Sequence, residues 1–138
     1  MTFYASTDGA SKGNPGRAGI GAVIQDSTGK IVKTISASLP ETTNNVAEYI
    51  ALRECLKAAA TLPCKRLIVR SDSQLLVYQL KGKYKIRKPH LKKLNDEIKK
   101  MIAAIPFPVE FHYICREENT AADKLANEGI SQLEKILI

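Results

Sequence analysis

The sequence has little cysteine, and its cysteines are arranged neither for a disulfide framework nor for a zinc site. There are three of them, Cys55, Cys64 and Cys115, and they contain no Cys-x-x-Cys pair. A disulfide framework needs cysteines in pairs, and a zinc site needs ligands at short, repeated spacings. We therefore expect free thiols in ordinary structural positions and no cysteine-based metal centre.

Long apolar runs are also missing. The longest, residues 58–63 and 102–109, are far shorter than the roughly 20 residues that a membrane-spanning helix needs. The chain starts without the basic and then apolar pattern of a secretory signal. Repeats, low-complexity segments and linkers are equally absent from its 138 residues. We predict one domain over residues 1–138, a cytoplasmic monomer that makes no membrane contact.

What the sequence has in excess is positive charge. The formal net charge is +7, which suggests a polyanionic partner. The cations concentrate in one short segment, at Lys81, Lys83, Lys85, Arg87, Lys88, Lys92 and Lys93. This segment is either a solvated stretch of surface or an edge that contacts phosphates.

The order of hydrophobic patterns predicts an α/β fold. Period-two patterns and β-branched residues predict strands at residues 2–7, 20–25, 30–37, 66–71 and 109–114. Helical spacing predicts helices at residues 43–60, 73–80 and 89–104, and from Asn119 or Thr120 to about Lys135. The glycines and the proline between Asp8 and Gly16 are predicted to end the first strand. Strands first in a meander and then alternating with helices predict a five-stranded mixed β-sheet flanked by α-helices.

Glu48 is the most unusual of the 14 acidic residues. Helical geometry places it on the same apolar face as Leu52 and Cys55, opposite a polar face marked by Arg53 and Lys57. A charge that faces a core must be paired, protonated or bound to a metal. Alternatively, Glu48 complements the helix dipole at the edge of the stripe.

Three aspartates lie where predicted elements begin or end. Asp8 could belong to an Asp-Gly turn, Asp72 or Ser73 could cap a helix, and Asp123 could be an ordinary acid in a first helical turn. A mixed sheet could also bring all three to one rim beside Glu48. Such a cluster would raise its own pKa values unless cations neutralised it, and hard oxygen ligands favour Mg²⁺ or Mn²⁺.

Four blocks of the sequence resemble the motifs of the type 1 ribonucleases H, in the family's order and over nearly the whole chain. They are Thr7-Asp-Gly-Ala-Ser-Lys-Gly-Asn-Pro-Gly16, Thr43-Asn-Asn-Val-Ala-Glu48, Asp72-Ser-Gln74 and Asn119-Thr-Ala-Ala-Asp123. The resemblance implies a ribonuclease H-like fold and hydrolysis of the RNA strand of RNA–DNA hybrids, leaving 5′-phosphate and 3′-hydroxyl ends. It also implies two Mg²⁺ or Mn²⁺ ions per active site, held by Asp8, Glu48, Asp72 and Asp123.

The same resemblance implies a set of substrate contacts. Asn14, Asn45 and Gln74 match positions that read the minor groove and the RNA 2′-hydroxyls, which separate RNA from DNA. Thr43 matches a contact to the phosphate of the DNA strand. The remaining expected contacts are Gly9, Ala10, Ser11, Asn44, Ser73, Lys83, Lys85, Arg87 and Lys88. The asparagines could instead serve only turns and caps.

The sequence departs from the larger bacterial enzymes at two places. Their histidine-bearing loop is shortened here to Cys115-Arg-Glu-Glu-Asn119, as in the archaeal-like branch of the family. Arg116 is the nearest substitute; it can hold a phosphate but cannot shuttle protons, so we expect slower or differently timed turnover. The long basic helix that grips the hybrid in some members is also missing. Binding is therefore either weaker or dependent on residues 81–93 in an extended form.

Two other functions remain open at this stage. The chain could be a module that binds hybrids or double-stranded RNA without cutting, which a lost carboxylate would indicate, although all four are present. It could also be a nuclease for another substrate, such as double-stranded RNA or DNA ends. The asparagines and the glutamine favour 2′-hydroxyl recognition but do not decide between a hybrid and double-stranded RNA.

Overall fold

The structure, a computed structural model, describes residues 1–132 and 135–138. The strands in these residues are β1 (Thr2–Lys12), β2 (Gly16–Gln25), β3 (Ile31–Thr42), β4 (Arg66–Ser71) and β5 (Val109–Tyr113). The helices are α1 (Asn44–Ala59), α2 (Gln74–Leu80), α3 (Pro89–Ala104) and α4 (Thr120–Gly129), with a 3₁₀ turn at Arg116–Glu118 before α4. Within the described residues, one sheet has the order β3-β2-β1-β4-β5. β1 is antiparallel to β2 and parallel to β4, so the predicted five-stranded mixed sheet is confirmed.

Helices α1 and α4 pack on opposite faces of β1 and β2, and glycines let them come close. A Cβ on Gly9 would overlap the backbone of Ala47 and Glu48 in α1, and a Cβ on Gly21 would overlap the carbonyl oxygen of Ala122 in α4. Gly21 pairs with Asp8, the residue before Gly9. Because side chains alternate along a strand, Asp8 points to the α4 face and Gly9 to the α1 face.

The predicted end of the first strand is wrong. β1 continues through Asp8 to Lys12, and a three-residue turn then leads into β2 at Gly16. The turn begins at Gly13, whose φ is +100°. The two strands pair from Tyr4–Gln25 to Lys12–Arg17. The hydrogen bonds between β1 and β2 outweigh the low strand propensity of glycine. The sequence pattern reveals that propensity but not the pairing, so it predicts too early an end for the strand.

The predicted end of the last helix is also wrong. The helix was expected to reach about Lys135, but α4 ends at Gly129, and the amides of Ser131 and Gln132 then bond three residues back, as in a tightening last turn. Residues 133 and 134 lie outside the described part of the chain. Lys135 instead forms a parallel backbone bridge with Ser38 of β3. β3 itself is longer than predicted and ends at Thr42.

Arg53 was predicted to mark the polar face of the helix, yet it is buried, with 6% of its surface exposed. Its Nη2 donates to the carbonyl oxygen of Leu137 at 2.7 Å, and its Nε donates to Glu54 at 3.0 Å. The C-terminal segment that folds over this face is distant in sequence, so helical periodicity could not reveal it. Among the helices of residues 1–132 and 135–138, none combines the length and the apolar composition required to traverse a bilayer.

We predict that Gly21→Ala destabilises the protein, because the added methyl must push α4 away from β2. Overpacking of this kind typically costs about 1–3 kcal/mol of unfolding free energy. Urea denaturation measures the change. Thr34→Ala is the control, since Thr34 is exposed on β3 opposite Val23 of β2. Equal midpoints for the two variants would contradict the close packing of α4 on β2.

Candidate active site

A cleft of about 430 Å³ lies beyond the point where β1 and β4 stop pairing. It contains four carboxylates, one cation and several polar or small residues, which come from five separate parts of the chain. Its lining residues are Asp8, Gly9, Ala10, Ser11, Asn44, Glu48, Asp72, Tyr113, Arg116, Asp123 and Asn127. Nine of these were predicted as site residues; Tyr113 and Asn127 were not. Asn127 could have been found, because it lies four residues after Asp123 on the same helix face.

Parallel pairing brings Asp8 and Asp72 side by side. β1 and β4 are in register up to the pair Thr7–Ser71, so the next residue on each chain is an aspartate. Asp72 therefore follows the carboxyl end of β4, as predicted. Helix capping does not explain it, because the hydroxyl of Ser73 accepts the amide of Leu76 and is the N-cap of α2.

Glu48 reaches the cleft because α1 lies directly against Gly9. The first turn of α1 contains no acidic residue, so the alternative explanation by the helix dipole is wrong for Glu48. Burial raises the pKa of Glu48 to about 7; a hydrogen bond with Ser73 opposes this rise and the charge of Asp72 adds to it. Ser73, expected as a substrate contact, is thus buried between the α2 cap and Glu48.

Asn119 ties the start of α4 to the two central strands. Its Nδ2 donates to the carbonyl oxygen of Thr7 at 2.9 Å and to Oδ1 of Asp72 at 3.2 Å. Asp123 follows one turn later and shares a hydrogen bond with Asp8. The sequence motif contains Asn119, but its bridging role was missed because the partner at Thr7 is a backbone atom distant in the chain. Among the described residues, Oδ1 of Asn119 is buried with no hydrogen-bond partner.

The electrostatics of the cleft centre on Asp8. Its side chain is buried, and its pKa is raised from 3.8 to about 8, first by burial and then by the charges of Asp72, Glu48 and Asp123 and the hydrogen bond with Asp123. Among the described residues that line the cleft, Arg116 is the one cation. A site in which carboxylates crowd one another can lower its energy by binding protons or cations.

All four carboxylates offer hard oxygen ligands, as Mg²⁺ and Mn²⁺ prefer. Within residues 1–132 and 135–138, no three His, Cys, Asp or Glu side chains form a ready-made cage for a metal ion. Mg²⁺ is usually bound through one or two carboxylates, several waters and the phosphates of a substrate, so it does not require such a cage. The chemistry of the donor set therefore fits such ions, with waters or a substrate phosphate completing the coordination.

The residues expected to approach the RNA backbone belong to β1 and not to a loop. Gly9, Ala10 and Ser11 pair with β2 on one side and extend past the last β1–β4 pair on the other. This second edge faces the cleft. The hydroxyl of Ser11 lies 2.7 Å from Oδ1 of Asn44, which also lines the cleft.

Two expected contacts have local structural partners. Oγ1 of Thr43 accepts the amide of Val46 and caps α1, and Oδ1 of Asn14 accepts the amide of Asn44. The turn and cap duties considered from the sequence are thus present. Asn14 is exposed and Thr43 half-buried, which leaves surface for a ligand.

The remaining expected contacts lie outside this cleft. Gln74 is exposed at the first residue of α2, and Nζ of Lys83 lies 5.8 Å from the ring centre of Tyr78. A second cleft of about 250 Å³ contains the others. It is lined by Asn45, Leu75, Gln79, Lys85, Arg87, Lys88 and Leu91.

The chain matches a family model described as reverse transcriptase-like over residues 6–129. Among solved structures it resembles LC11-RNase H1 in complex with an RNA/DNA hybrid, at 41% identity and a TM-score of 0.88, covering 93% of this chain and 96% of that one. It also resembles RNase H1 from the halophilic archaeon Halobacterium salinarum, at 35% identity and a TM-score of 0.89, over 94% and 98% of the two chains.

The chain is also similar in sequence to curated proteins. The ribonuclease H of Methylococcus capsulatus is 32% identical over 145 residues, which cover 96% of this chain and 91% of the relative. The bifunctional protein Rv2228c of Mycobacterium tuberculosis is 35% identical over 131 residues, which cover 94% of this chain. The match covers only 36% of Rv2228c, so the chain spans about a third of the length of the first curated relatives that it matches.

We predict that the metal-free protein loses stability as the pH rises, and that Asp8→Asn reduces this loss. The pKa of Asp8 is 3.8 when unperturbed and about 8 in the folded protein, so between these values the native state holds a proton that the unfolded state has released. The free energy of unfolding therefore falls through this window, by at most about 1.4 kcal/mol per pH unit for one group.

Urea denaturation in EDTA at pH 5 and pH 8 measures the effect. Asp8→Asn should unfold at a higher urea concentration than the wild type at pH 8, and the difference should shrink at pH 5. Asp96→Asn, at an exposed position of α3, is the control. If Asp8→Asn lost as much stability between pH 5 and pH 8 as the wild type, the pKa of Asp8 would not be the cause of the loss.

Proposed function

The chain belongs to the ribonuclease H family, and we propose that it hydrolyses the RNA strand of RNA–DNA hybrids, leaving 5′-phosphate and 3′-hydroxyl ends. The observation that carries the proposal is the convergence of Asp8, Glu48, Asp72 and Asp123 in one cleft that has a single lining cation among the described residues. The resemblance to an RNase H bound to an RNA/DNA hybrid supports the choice of substrate.

The four carboxylates would hold two divalent cations, Mg²⁺ or Mn²⁺. Bound together, such a pair supplies the activation of a water and the stabilisation of the leaving oxygen in an in-line displacement. Asn119 orients Asp72, and Ser73 orients Glu48. Both partners are neutral, so they fix the carboxylates and leave the negative charge available to the cations.

Arg116 would hold a phosphate of the cut strand. It is exposed at the first residue of the 3₁₀ turn and lines the same cleft as Asp123. A guanidinium can bind a phosphate in a two-pronged geometry and stays protonated at any working pH. Arg116 therefore binds and orients but transfers no proton, which supports the slower or differently timed turnover expected from the sequence.

Recognition of RNA would come from Asn14, Asn45 and Gln74, whose amides can pair with 2′-hydroxyls in the minor groove. Lys83, Lys85, Arg87 and Lys88 are exposed and would contact backbone phosphates. All four carboxylates are present and converge, which supports cleavage over binding alone. Double-stranded RNA remains the competing substrate, and a direct comparison decides between the two.

We predict that the purified protein cuts an end-labelled hybrid with Mg²⁺ or Mn²⁺, and that Asp72→Asn lowers the rate by about two orders of magnitude or more. The asparagine keeps the shape but removes the charge that holds a cation. Asp96→Asn is the matched control, because Asp96 is exposed on α3 and pairs only with Lys92 among the described residues.

The same assay is run with hybrid, RNA duplex and DNA duplex side by side. Preferential cutting of the hybrid is the expected result. Intact hybrid at every metal concentration would refute the proposed activity, and equal cutting of the RNA duplex would refute the proposed substrate.

We also predict that Mg²⁺ or Mn²⁺ raises the unfolding temperature of the wild type without substrate. A ligand that binds only the native state stabilises it by RT ln(1 + [L]/Kd). Asp8→Asn should remove most of this shift, and Asp96→Asn should keep it. Thermal unfolding across a metal titration measures it. Equal shifts in all three proteins would place the bound cations outside the cleft.

A further inference from the structure

Three helices meet at a buried chain of polar side chains. The hydroxyl of Tyr49 in α1 donates to Oε1 of Gln79 in α2 at 2.6 Å, and Nδ2 of Asn95 in α3 donates to the hydroxyl of Tyr49 at 3.2 Å. Tyr49, Gln79 and Asn95 have 0%, 4% and 1% of their surface exposed. Buried polar groups are tolerated when they satisfy one another, and a satisfied network favours one arrangement of its elements.

Gln79 extends this network to a segment that contains many of the exposed cations. Its Nε2 donates to the carbonyl oxygen of Lys85 at 3.5 Å. Residues 81–88, here called the basic loop, are also held at the end of α2, where the amides of Lys83 and Tyr84 donate to the carbonyl oxygen of Tyr78 at 2.8 and 3.1 Å. The loop therefore folds back on α2, in contrast to the extended form considered from the sequence.

The chemistry of Gln79 suits a link between the helices and the loop. A primary amide has both an acceptor and a donor. The acceptor is used by Tyr49, and the donor is directed at the loop backbone. The bond to Lys85 is long, so the loop depends on Gln79 together with the packing of Ile86 against the core.

We propose that Gln79 is a positioning residue that holds the basic loop at a set distance from the carboxylate cleft; the proposal rests on the proposed hybrid-cleaving function. Tyr49 directly follows Glu48 on α1, so the network and a carboxylate share one rigid helix. The loop cations Lys85, Arg87 and Lys88 line the second cleft together with Asn45 of the same helix α1. Gln79 would therefore fix the loop cations, which contact phosphates, relative to the helix that carries Glu48.

In this arrangement the loop cations would serve substrate binding, and the carboxylates would serve the cleavage step. Loosening the loop should weaken phosphate contacts that lie away from the reacting atoms, and leave the carboxylates unchanged. Removal of an interaction present in both the bound state and the transition state raises KM and leaves kcat unchanged. Fewer phosphate contacts also reduce the salt dependence of binding.

Gln79→Met tests the proposal because methionine keeps the length and most of the packing of glutamine but loses both hydrogen bonds. Tyr49→Phe removes one hydroxyl and leaves the bond to Lys85 possible, so its effect should be smaller. Ile98→Val is the matched control: Ile98 is buried in α3, and the substitution lowers stability without touching the loop.

The first measurement is limited trypsin digestion, which needs no nucleic acid. The basic loop contains exposed trypsin sites, and its release should speed cleavage there in Gln79→Met but not in Ile98→Val. The second is steady-state cleavage of the hybrid at several salt concentrations. For Gln79→Met we expect KM to rise about three- to tenfold with unchanged kcat, and the salt slope to fall.

Faster loop cleavage together with the change in KM supports the proposal. Unchanged trypsin cleavage overturns it, and so does faster cleavage with an unchanged KM, since the loop would then not position the hybrid. A fall in kcat in Gln79→Met equal to that in Ile98→Val would show a general loss of stability and also overturn it. A wild-type protein that neither binds nor cuts hybrids refutes the proposed function itself, and the trypsin result then reports only on a structural anchor.

Discussion

Repulsion among carboxylates is the constraint from which the architecture of the cleft follows. Asp8 is buried, and the charges of Asp72, Glu48 and Asp123 each raise its pKa further. A protein could relieve this repulsion with lysines or arginines, but here neutral donors hold the carboxylates in place. Asn119 bonds Asp72, and a hydroxyl bonds Glu48. Arg116 is the one cation among the described residues that line the cleft, so the crowded carboxylates favour binding protons or divalent cations.

The convergence itself depends on close backbone packing more than on the acidic residues. Parallel pairing of β1 with β4 places Asp8 beside Asp72, but Glu48 arrives only because Gly9 lets α1 approach the strand. Gly21 does the same for α4, which bears Asp123. A side chain at either glycine would separate a helix from the sheet and pull one carboxylate away from the others. The site is therefore as sensitive to small residues in the sheet as to its charged residues.

The sequence was most informative where the signal is local and least informative where the partner is distant. The order of strands and helices follows from periodicity, and α3 has the predicted bounds. The extension of β1 past Asp8 was missed because its stability comes from β2, against the propensity of the glycines. Helical periodicity puts Arg53 on the polar face of α1 and cannot reveal its burial, because the segment that covers it, near Leu137, lies far along the chain. The four carboxylates were identified as a group through their motifs, whereas the neutral partner Asn119 needed coordinates.

The distribution of charge would let this chain attract a polyanion and still present an acidic cleft to it. A net charge of +7 suits the attraction of phosphate backbones, and many of the exposed cations lie on the basic loop and α3, which do not line the carboxylate cleft. A long duplex can therefore contact cations over much of its length while a single phosphate faces the acidic cleft, where bound metal ions would reverse the local charge. The cations that would attract the duplex and the carboxylates that would cut it are separate groups, so the position of one group relative to the other matters. The buried network through Tyr49 and Gln79 links the helix that carries Glu48 to the loop that carries the cations. In the proposed function, this short internal link would keep hybrid binding and cleavage in register.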